Sequence, residues 1–281
     1  MTLRYLFALF LYGTIGFFLH FVEYSSEFVV LCRGVLGSLF IYIIMKINKQ
    51  AINFDSIRKN LRYLCISGVS LGLNWVFLFQ GYEYGVAVTS VCNYLAPIIV
   101  VVICLLVYKE RINEVQIICI ISAFVGILLM TGIFDYDSVD YRCVVYGLLA
   151  AVGFVIMVLC NKKIDDIDQY DKTLSQLFFS VVVVFPYVYF HKGFPVSFDL
   201  RSTLIVIMLG ILHTGVAYIF YFSAIRYLSS QSIAVLGYLE PVINVLIGSF
   251  VFKEKMTVMT IIGIIMILCA SIGNELFADK E

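Results

Sequence analysis

The sequence Tyr-Leu-Glu-Pro at residues 238–241 lies inside a long apolar run, and Lys-Glu-Lys follows it at residues 253–255. The same pattern occurs earlier, with Tyr-Leu-Ala-Pro at residues 94–97 and Lys-Glu-Arg at residues 109–111. The offset between the copies is 144 residues at both ends of the pattern. The chain therefore repeats one unit, and the second copy has an acidic residue, Glu240, where the first has alanine.

The composition excludes a soluble globular protein. Of the 281 residues, 62% are hydrophobic and 14% are charged, and the mean hydropathy is +1.00. Soluble domains are about 45–50% apolar and about 25% charged. Residues 203–222 contain no acidic residue, lysine or arginine, and about 20 apolar residues cross the hydrocarbon core of a bilayer. The sequence predicts a polytopic membrane protein whose partners include the lipid bilayer and no nucleic acid.

The eight cysteines do not form a recognisable site. They are scattered through apolar segments, and no two are spaced as Cys-x-x-Cys. Because no cluster of histidines accompanies them, neither a metal site nor a disulfide framework is predicted. We expect no cofactor.

Ten apolar runs divide the chain into two sets of five. They lie at about residues 3–21, 27–47, 63–82, 86–108 and 114–132, and at 143–161, 174–190, 203–223, 230–252 and 257–275. The predicted fold class is an all-α integral membrane protein with ten transmembrane helices. The first five-helix repeat is predicted at 3–132 and the second at 143–275, with no room for a separate soluble domain.

The basic residues of the loops predict the orientation. Cytoplasmic loops are enriched in lysine and arginine. If the N-terminus is cytoplasmic, the first five helices place eight basic residues on that side and none on the other: Arg4, Lys46, Lys49, Arg58, Lys59, Arg62, Lys109 and Arg111. The loops of the second half are balanced. We therefore expect both termini to be cytoplasmic and the chain to reside in the plasma membrane.

An odd number of helices per repeat has a structural consequence. The second copy must enter the membrane upside down relative to the first. Inverted repeats are typical of secondary transporters, in which two halves rock around a substrate held near the bilayer midplane.

The chain resembles the tandem EamA-like domains of the drug/metabolite transporter superfamily. The resemblance rests on Tyr12-Gly13, on Arg33, and on Pro97 and Pro241 with the charged triplets that follow them. It implies a ten-helix secondary transporter with a cytoplasmic N-terminus and a central cavity formed by helices one to four and six to nine. The family transports amino acids, nucleotide-linked sugars, cations and other small metabolites, often outward.

Glu240 is the first candidate for the transport pathway. It lies about ten residues into the ninth predicted helix, near the bilayer centre, where a charged side chain costs about 2.5–3.5 kcal/mol. Such a carboxylate must face a cavity or a partner. Pro97 and Pro241 are predicted to break their helices, because proline lacks a backbone donor; at Pro241 this leaves a carbonyl near Gly237 free to bend the helix or to bind a partner. Glu240 is interpreted as a proton or substrate-amine site, and the alternative is a structural ion pair or a neutral hydrogen-bonded carboxyl.

Two further titratable residues lie within predicted helices. Arg33 can pair with Glu240 or bind a substrate carboxylate through its two-pronged guanidinium; the alternative is snorkelling to the outer interface. His213 lies midway along the eighth helix. It is either a proton carrier or a hydrogen-bonded packing residue.

Amide and aromatic side chains complete the candidate pathway. Amides also join membrane helices, and aromatic rings also pack or lie at the interface, so each has a structural alternative. The pair Gly68 and Gly72 predicts close helix packing. The candidates are Asn74, Trp75, Asn93, Tyr94, Gln176, Tyr218 and Tyr238.

The resulting functional hypothesis is a secondary transporter, an exporter or exchanger, of a small organic metabolite such as an amino acid. It would work by alternating access and be coupled to protons. The alternatives are a lipid flippase or facilitator, and a non-transporting sensor or assembly protein. An enzyme is not expected, because no clustered catalytic groups face one leaflet. The expected partner is a small-molecule substrate, and a homodimer is left open.

Overall fold

The computed structural model describes residues 1–133, 140–195, 197–253 and 256–277, and every regular element within these ranges is helical. The first six helices are α1 (Thr2–Leu19), α2 (Ser26–Ile47), α3 (Phe54–Tyr82), α4 (Val86–Asn93), α5 (Ala96–Val107) and α6 (Glu114–Met130). The others are α7 (Tyr141–Lys163), α8 (Gln169–Tyr187), α9 (Leu200–Gly210), α10 (Ala217–Ile225), α11 (Ser230–Gly237), α12 (Leu239–Phe252) and α13 (Val258–Leu276). Two π-helical segments, Val188–Lys192 and Ile211–Val216, extend α8 and join α9 to α10.

These elements form the expected membrane crossings. In the described ranges, nine helical stretches are long and apolar enough to span a bilayer, and Glu114–Met130 is a shorter apolar helix. Three of these crossings consist of more than one helix. Helices α4 and α5 form one, and α11 and α12 form another. The third consists of α9, the π-helical segment that follows it, and α10. The predicted all-α class is confirmed.

Two helices begin earlier than their apolar runs. Helix α3 begins at Phe54 rather than at residue 63, and the Asn53 side chain accepts a hydrogen bond from the Ser56 amide at 3.1 Å. Helix α8 begins at Gln169 rather than at residue 174, and Asp168 accepts one from the Tyr170 amide at 2.8 Å. Polar N-cap residues satisfy the free amides of the first turn. Because these caps lie outside the apolar runs, the hydropathy pattern missed both starts.

The repeat is visible in the backbone. Helices α4 and α11 begin at residues 86 and 230 and end at residues 93 and 237, so both ends keep the offset seen in the sequence. Lys109 and Lys253 both adopt the left-handed conformation, with φ of 54° and 57°, which is uncommon for residues other than glycine. The helix packing shows the same repeat. Helix α3 of the first repeat contacts α7 of the second, and their counterparts, α10 of the second repeat and α1 of the first, also contact each other. Residues 254–255 of the second charged triplet lie outside the described residues.

Glycines allow two helix pairs to approach closely. A Cβ atom at Gly68 would lie 2.5 Å from the Gln176 carbonyl oxygen, and one at Gly72 would lie 2.8 Å from that of Ser180, so α3 and α8 touch through their backbones. The close packing predicted for the two glycines is confirmed. In the pair α6 and α13, a Cβ at Gly263 would overlap the Gly126 carbonyl oxygen, so these two helices also touch through their backbones.

Candidate functional site

The two proline motifs meet at the centre of the bundle. The helical path is interrupted at Tyr94 and Leu95 in the first repeat and at Tyr238 in the second. The Tyr238 hydroxyl donates a hydrogen bond to the Tyr94 carbonyl at 2.7 Å, and the two rings are 6.3 Å apart. Equivalent residues of the two copies thus contact each other. Pro97 and Pro241 lie in the first turns of the half-helices that follow.

Glu240 occupies the first turn of α12. It was predicted about ten residues into the ninth helix, beside a helix break at Pro241, and the interruption at Tyr238 places it near the start of a half-helix. A Cβ at Gly13 would lie 2.8 Å from the Glu240 carbonyl oxygen, so α1 passes directly over this turn. The carboxylate side chain is partly exposed. Within the described residues it has neither a hydrogen bond nor an ion pair, while Arg33 lies within electrostatic range.

Arg33 contacts the second repeat. Its Nε donates to Thr214 Oγ1 at 3.1 Å, and its Nη2 lies 3.5 Å from the His213 carbonyl oxygen. Both acceptors belong to the π-helical segment Ile211–Val216. Such segments are rare and often occur at functional sites. The guanidinium is therefore directed toward the bundle interior rather than toward the interface, and it makes no direct ion pair with Glu240 among the described contacts.

His213 lies deep in the bundle with only 1% of its surface exposed. Its Nε2 is 2.9 Å from Thr14 Oγ1, which links α1 to the π-helical segment. Its Nδ1 has no hydrogen-bond partner in the described part of the chain. The His213 side chain thus joins two helices through Nε2, while its Nδ1 atom has no partner in the described part of the chain. Its assignment to the transport pathway stays a prediction.

An aromatic wall lies beside Arg33 and Glu240. The ring of Tyr12 is 5.3 Å from that of Tyr218 and 5.6 Å from that of Tyr221, and Trp75 lies 6.0 Å from Tyr218. Within the described residues, the Tyr12 and Tyr221 hydroxyls have no hydrogen-bond partner. Tyr221 was not predicted from the sequence. Its spacing of three residues from Tyr218, on one helical face, is the signal that would have indicated it.

The predicted amides join helices to one another. Asn74 donates to Asn93 at 3.1 Å and to the Ala150 carbonyl at 2.8 Å. Gln176 is fully buried and donates to Asn161 at 3.0 Å. Asn93 is partly exposed, as Arg33, Trp75, Tyr94 and Glu240 are. Glu240 lies within electrostatic range of Arg33 and Tyr94, and we call the region around these five side chains the central cleft. Gln176 lies apart from the central cleft, between α7 and α8.

The two ends of the bundle differ in packing. We call the end that carries Lys59, Lys109, Lys162 and Arg226 the basic end. In the half toward it, buried apolar side chains from both repeats form one continuous cluster. Toward the opposite end, smaller separate clusters each join two or three helices. A second large cluster joins α6 and α13 to α4, α5, α11 and α12. Among the helices around Arg33 and Glu240, buried apolar packing between the repeats is therefore more continuous toward the basic end.

Hydrogen bonds to Glu110 join the helices at the basic end. Glu110 accepts hydrogen bonds from Lys162 Nζ at 2.6 Å, from the Ser230 hydroxyl at 2.6 Å and from the Ser230 amide at 3.1 Å. These contacts connect the first repeat to α7 and α11 of the second. Burial opposes ionisation, but the hydrogen bonds from Lys162 and Ser230 outweigh it and hold the pKa of Glu110 below its ordinary value. This stabilisation is therefore present near neutral pH and is lost only as the pH falls through that lowered pKa.

We expect Glu110→Gln to loosen the basic end. Hydrogen bonds to a charged group contribute about 1.5–3 kcal/mol, and about 1.4 kcal/mol changes a population tenfold. Cys104 is fully buried, and its carbonyl accepts the Glu110 amide. Its alkylation by N-ethylmaleimide, measured by peptide mass spectrometry, should become at least about tenfold faster in the variant.

The matched control is Asp166→Asn at the same end. Its ion pair with Lys59 spans 2.9 Å, but both side chains are more than half exposed, and exposed pairs contribute about 0–1 kcal/mol. Labelling of Cys104 should be unchanged in this variant. Equal acceleration in both variants would contradict a specific role for Glu110.

The inverted helical repeats and the central cleft define this molecule as an integral membrane transport protein. The model of the EamA-like transporter family matches residues 3–132 and again residues 141–274. The chain belongs to this family.

Known proteins are similar to the chain along most of its length. The uncharacterized transporter YxxF of Bacillus subtilis is 25% identical, over 95% of this chain and 86% of that protein. The pseudopaline exporter CntI of Pseudomonas aeruginosa is 24% identical, over 87% of this chain and 84% of that protein. One crystal structure superposes with a TM-score of 0.86 at 14% identity and covers 99% of this chain and 98% of the other. That last likeness concerns the fold alone.

Proposed function

We propose that this protein is a secondary transporter of a small organic metabolite that carries both an acidic and a basic group. The observation that carries the proposal is that Arg33 and Glu240 are both partly exposed and lie within electrostatic range of each other, with no direct ion pair between them among the described contacts. An unpaired charge of each sign inside a membrane is costly and is typical of a functional site. A zwitterion offers a partner to both.

The surroundings of these charges support an amino-acid-like substrate. The guanidinium of Arg33 presents paired donors that suit a carboxylate, and Glu240 suits an ammonium group. The ring of Tyr12 and the indole of Trp75 border the same region, and aromatic faces also favour cations. The pseudopaline exporter among the relatives supports export as the direction.

Alternating access supplies the mechanism. The basic end is the cytoplasmic end in our proposal, because basic loops face the cytoplasm, and the protein resides in the plasma membrane with both termini inside. Apolar packing between the repeats is more continuous at that end, so in this mechanism the conformation described here is closed to the cytoplasm. Release of Glu110 from Lys162 and Ser230 would open that end while the outer clusters come together. Glu240 would bind a proton when the cleft faces one side and release it on the other.

Counterflow in proteoliposomes tests this function. Vesicles loaded with a mixture of unlabelled amino acids should transiently accumulate a labelled member that the protein carries, without any ion gradient. Arg33→Gln should reduce this accumulation at least about tenfold, because hydrogen bonds to a charged group contribute about 1.5–3 kcal/mol.

The control is Arg62→Gln, since Arg62 is exposed and has no described partner. This variant should exchange like the wild type. If no amino acid or related zwitterion exchanges in wild-type vesicles, the proposed substrate class is wrong. If lipid analogues cross the bilayer instead, the protein is a flippase.

A further inference from the structure

A second cleft lies at the basic end, away from the central cleft. It has a volume of about 260 Å³ and lies between the start of α1, the start of α8 and the end of α10. Three basic side chains line it, Arg4, Lys172 and Arg226, against one carboxylate, Asp168. The proposed transport pathway uses none of these residues.

Lys172 is the unusual member of this lining. Only 5% of its surface is exposed, although lysine is almost never buried without a partner. Its Nζ donates to the Phe222 carbonyl at 3.2 Å, and no carboxylate pairs with it among the described residues. The nitrogen of a lysine side chain can donate more than one hydrogen bond, so donor capacity remains for a ligand in the cleft.

The other charges of the cleft leave it positive. Asp168 accepts a hydrogen bond from the Tyr170 amide at 2.8 Å as the cap of α8. Arg226 shares its guanidinium with Asp165. Arg4 is exposed and has no partner in the described part of the chain. An anion placed here would meet at least two basic groups that are not already neutralised.

An apolar groove continues from this cleft. It also has a volume of about 260 Å³, and it shares Arg4 and Gln169 with the basic cleft. Its remaining lining is mainly apolar and comes mostly from α2 and α10, including Ile44 and Phe220, with Tyr170 of α8 and Val216 of the π-helical segment. The ring of Phe220 contacts the exposed ring of Phe7 at 5.2 Å. A ligand that fills both spaces needs an anionic head and a hydrocarbon chain.

We propose that the basic cleft and the apolar groove together form a binding site for an anionic phospholipid. The phosphate lies near Lys172 and Arg4, and an acyl chain follows the groove past Ile44 and Phe220. Basic residues beside membrane helices attract anionic lipids, and a free phosphate would leave the adjoining groove unused. The lipid would tie α1 to α8 and α10, and so connect the two repeats at the end that must open.

Native mass spectrometry with a defined lipid tests this site. Purified protein in detergent is titrated with phosphatidylglycerol and, separately, with phosphatidylcholine of the same acyl chains. The wild type should prefer phosphatidylglycerol. Arg4→Gln should weaken that preference about fivefold, the effect expected of one basic residue near an anionic lipid. The matched control Arg62→Gln, also an exposed arginine without a described partner, should retain it.

Two further arms separate a lipid from a free anion. Ile44→Ser in the groove should weaken phosphatidylglycerol binding while both basic residues remain. Inorganic phosphate at millimolar concentration should not displace the lipid. The proposal is overturned if the wild type shows no preference, if Arg62→Gln loses it as much as Arg4→Gln, or if phosphate displaces the lipid and Ile44→Ser has no effect. All species are observed as folded protein, so loss of folding is not mistaken for loss of binding.

Discussion

The Glu240→Gln variant is expected to lose all coupling of substrate flux to a pH gradient while it folds like the wild type. Glutamine keeps the shape of the side chain but cannot release a proton. Glu240 has no hydrogen bond or ion pair to lose among the described residues, and removing a charge from the centre of a span lowers the cost of inserting it. The variant should therefore lose proton coupling without a change in folding stability.

Proteoliposomes with an imposed pH gradient provide the measurement. In the wild type, the gradient should drive substrate above its equilibrium level. In Glu240→Gln, accumulation should fall to the level seen without a gradient, a loss of the entire pH-dependent component. The control is Glu114→Gln, because Glu114 is exposed in the first turn of α6 and has no described partner. Its gradient-driven uptake should equal that of the wild type.

The result distinguishes the roles open to Glu240. If Glu240→Gln keeps the pH dependence of the wild type, Glu240 does not carry the proton. If pH dependence disappears and substrate affinity also falls at a constant pH, the carboxylate contacts the substrate amine as well. If the thermal midpoint falls by more than in Glu114→Gln, Glu240 has a structural partner, and the idea of an unpaired carboxylate is wrong.

The sequence predicted the helical repeat because its signals are local. Apolar runs, charged triplets and prolines can each be recognised from a few neighbouring residues. Tyr94 and Tyr238 are separated by the same 144 residues as the two prolines. The sequence predicted helix breaks at Pro97 and Pro241, and the helical path is interrupted just before each proline, at Tyr94 and Leu95 and at Tyr238. Proline removes a backbone donor, but where the helical path is interrupted depends on the neighbouring helices, including α1, which passes over Glu240.

The site was less predictable because it depends on pairing across helices. Nothing in the sequence places Arg33 against Thr214 or Tyr12 against Tyr221, since these contacts join residues from different repeats. Gln176 looked similar to Asn93 in the sequence. The structure buries Gln176 against Asn161 and leaves Asn93 partly exposed, a difference that only the arrangement of α3, α7 and α8 decides.

The Gly68→Ala variant is expected to be destabilised by about 1–3 kcal/mol, the usual effect of overpacking a tight contact. The added methyl carbon would lie 2.5 Å from the Gln176 carbonyl oxygen and 3.1 Å from its Cα atom. Both neighbours are backbone atoms, so no side-chain rotation relieves the contact and α3 must move away from α8. Thermal unfolding, followed through the fluorescence of the single tryptophan, should show a midpoint lower by several degrees.

The matched control is Gly237→Ala, the same substitution in another helix. Its nearest neighbour would be the Tyr5 hydroxyl at 3.5 Å, an ordinary contact. Alanine favours a helix interior over glycine by about 1 kcal/mol, and Gly237 is the last residue of α11, where this gain is smaller. Helix propensity therefore cannot explain a loss of stability in Gly68→Ala, and the backbone contact of Gly68 can. Gly237→Ala should therefore unfold at the same temperature as the wild type or slightly higher. If Gly68→Ala behaves like Gly237→Ala, α3 and α8 are not in backbone contact, and the close packing that joins the two repeats is wrong.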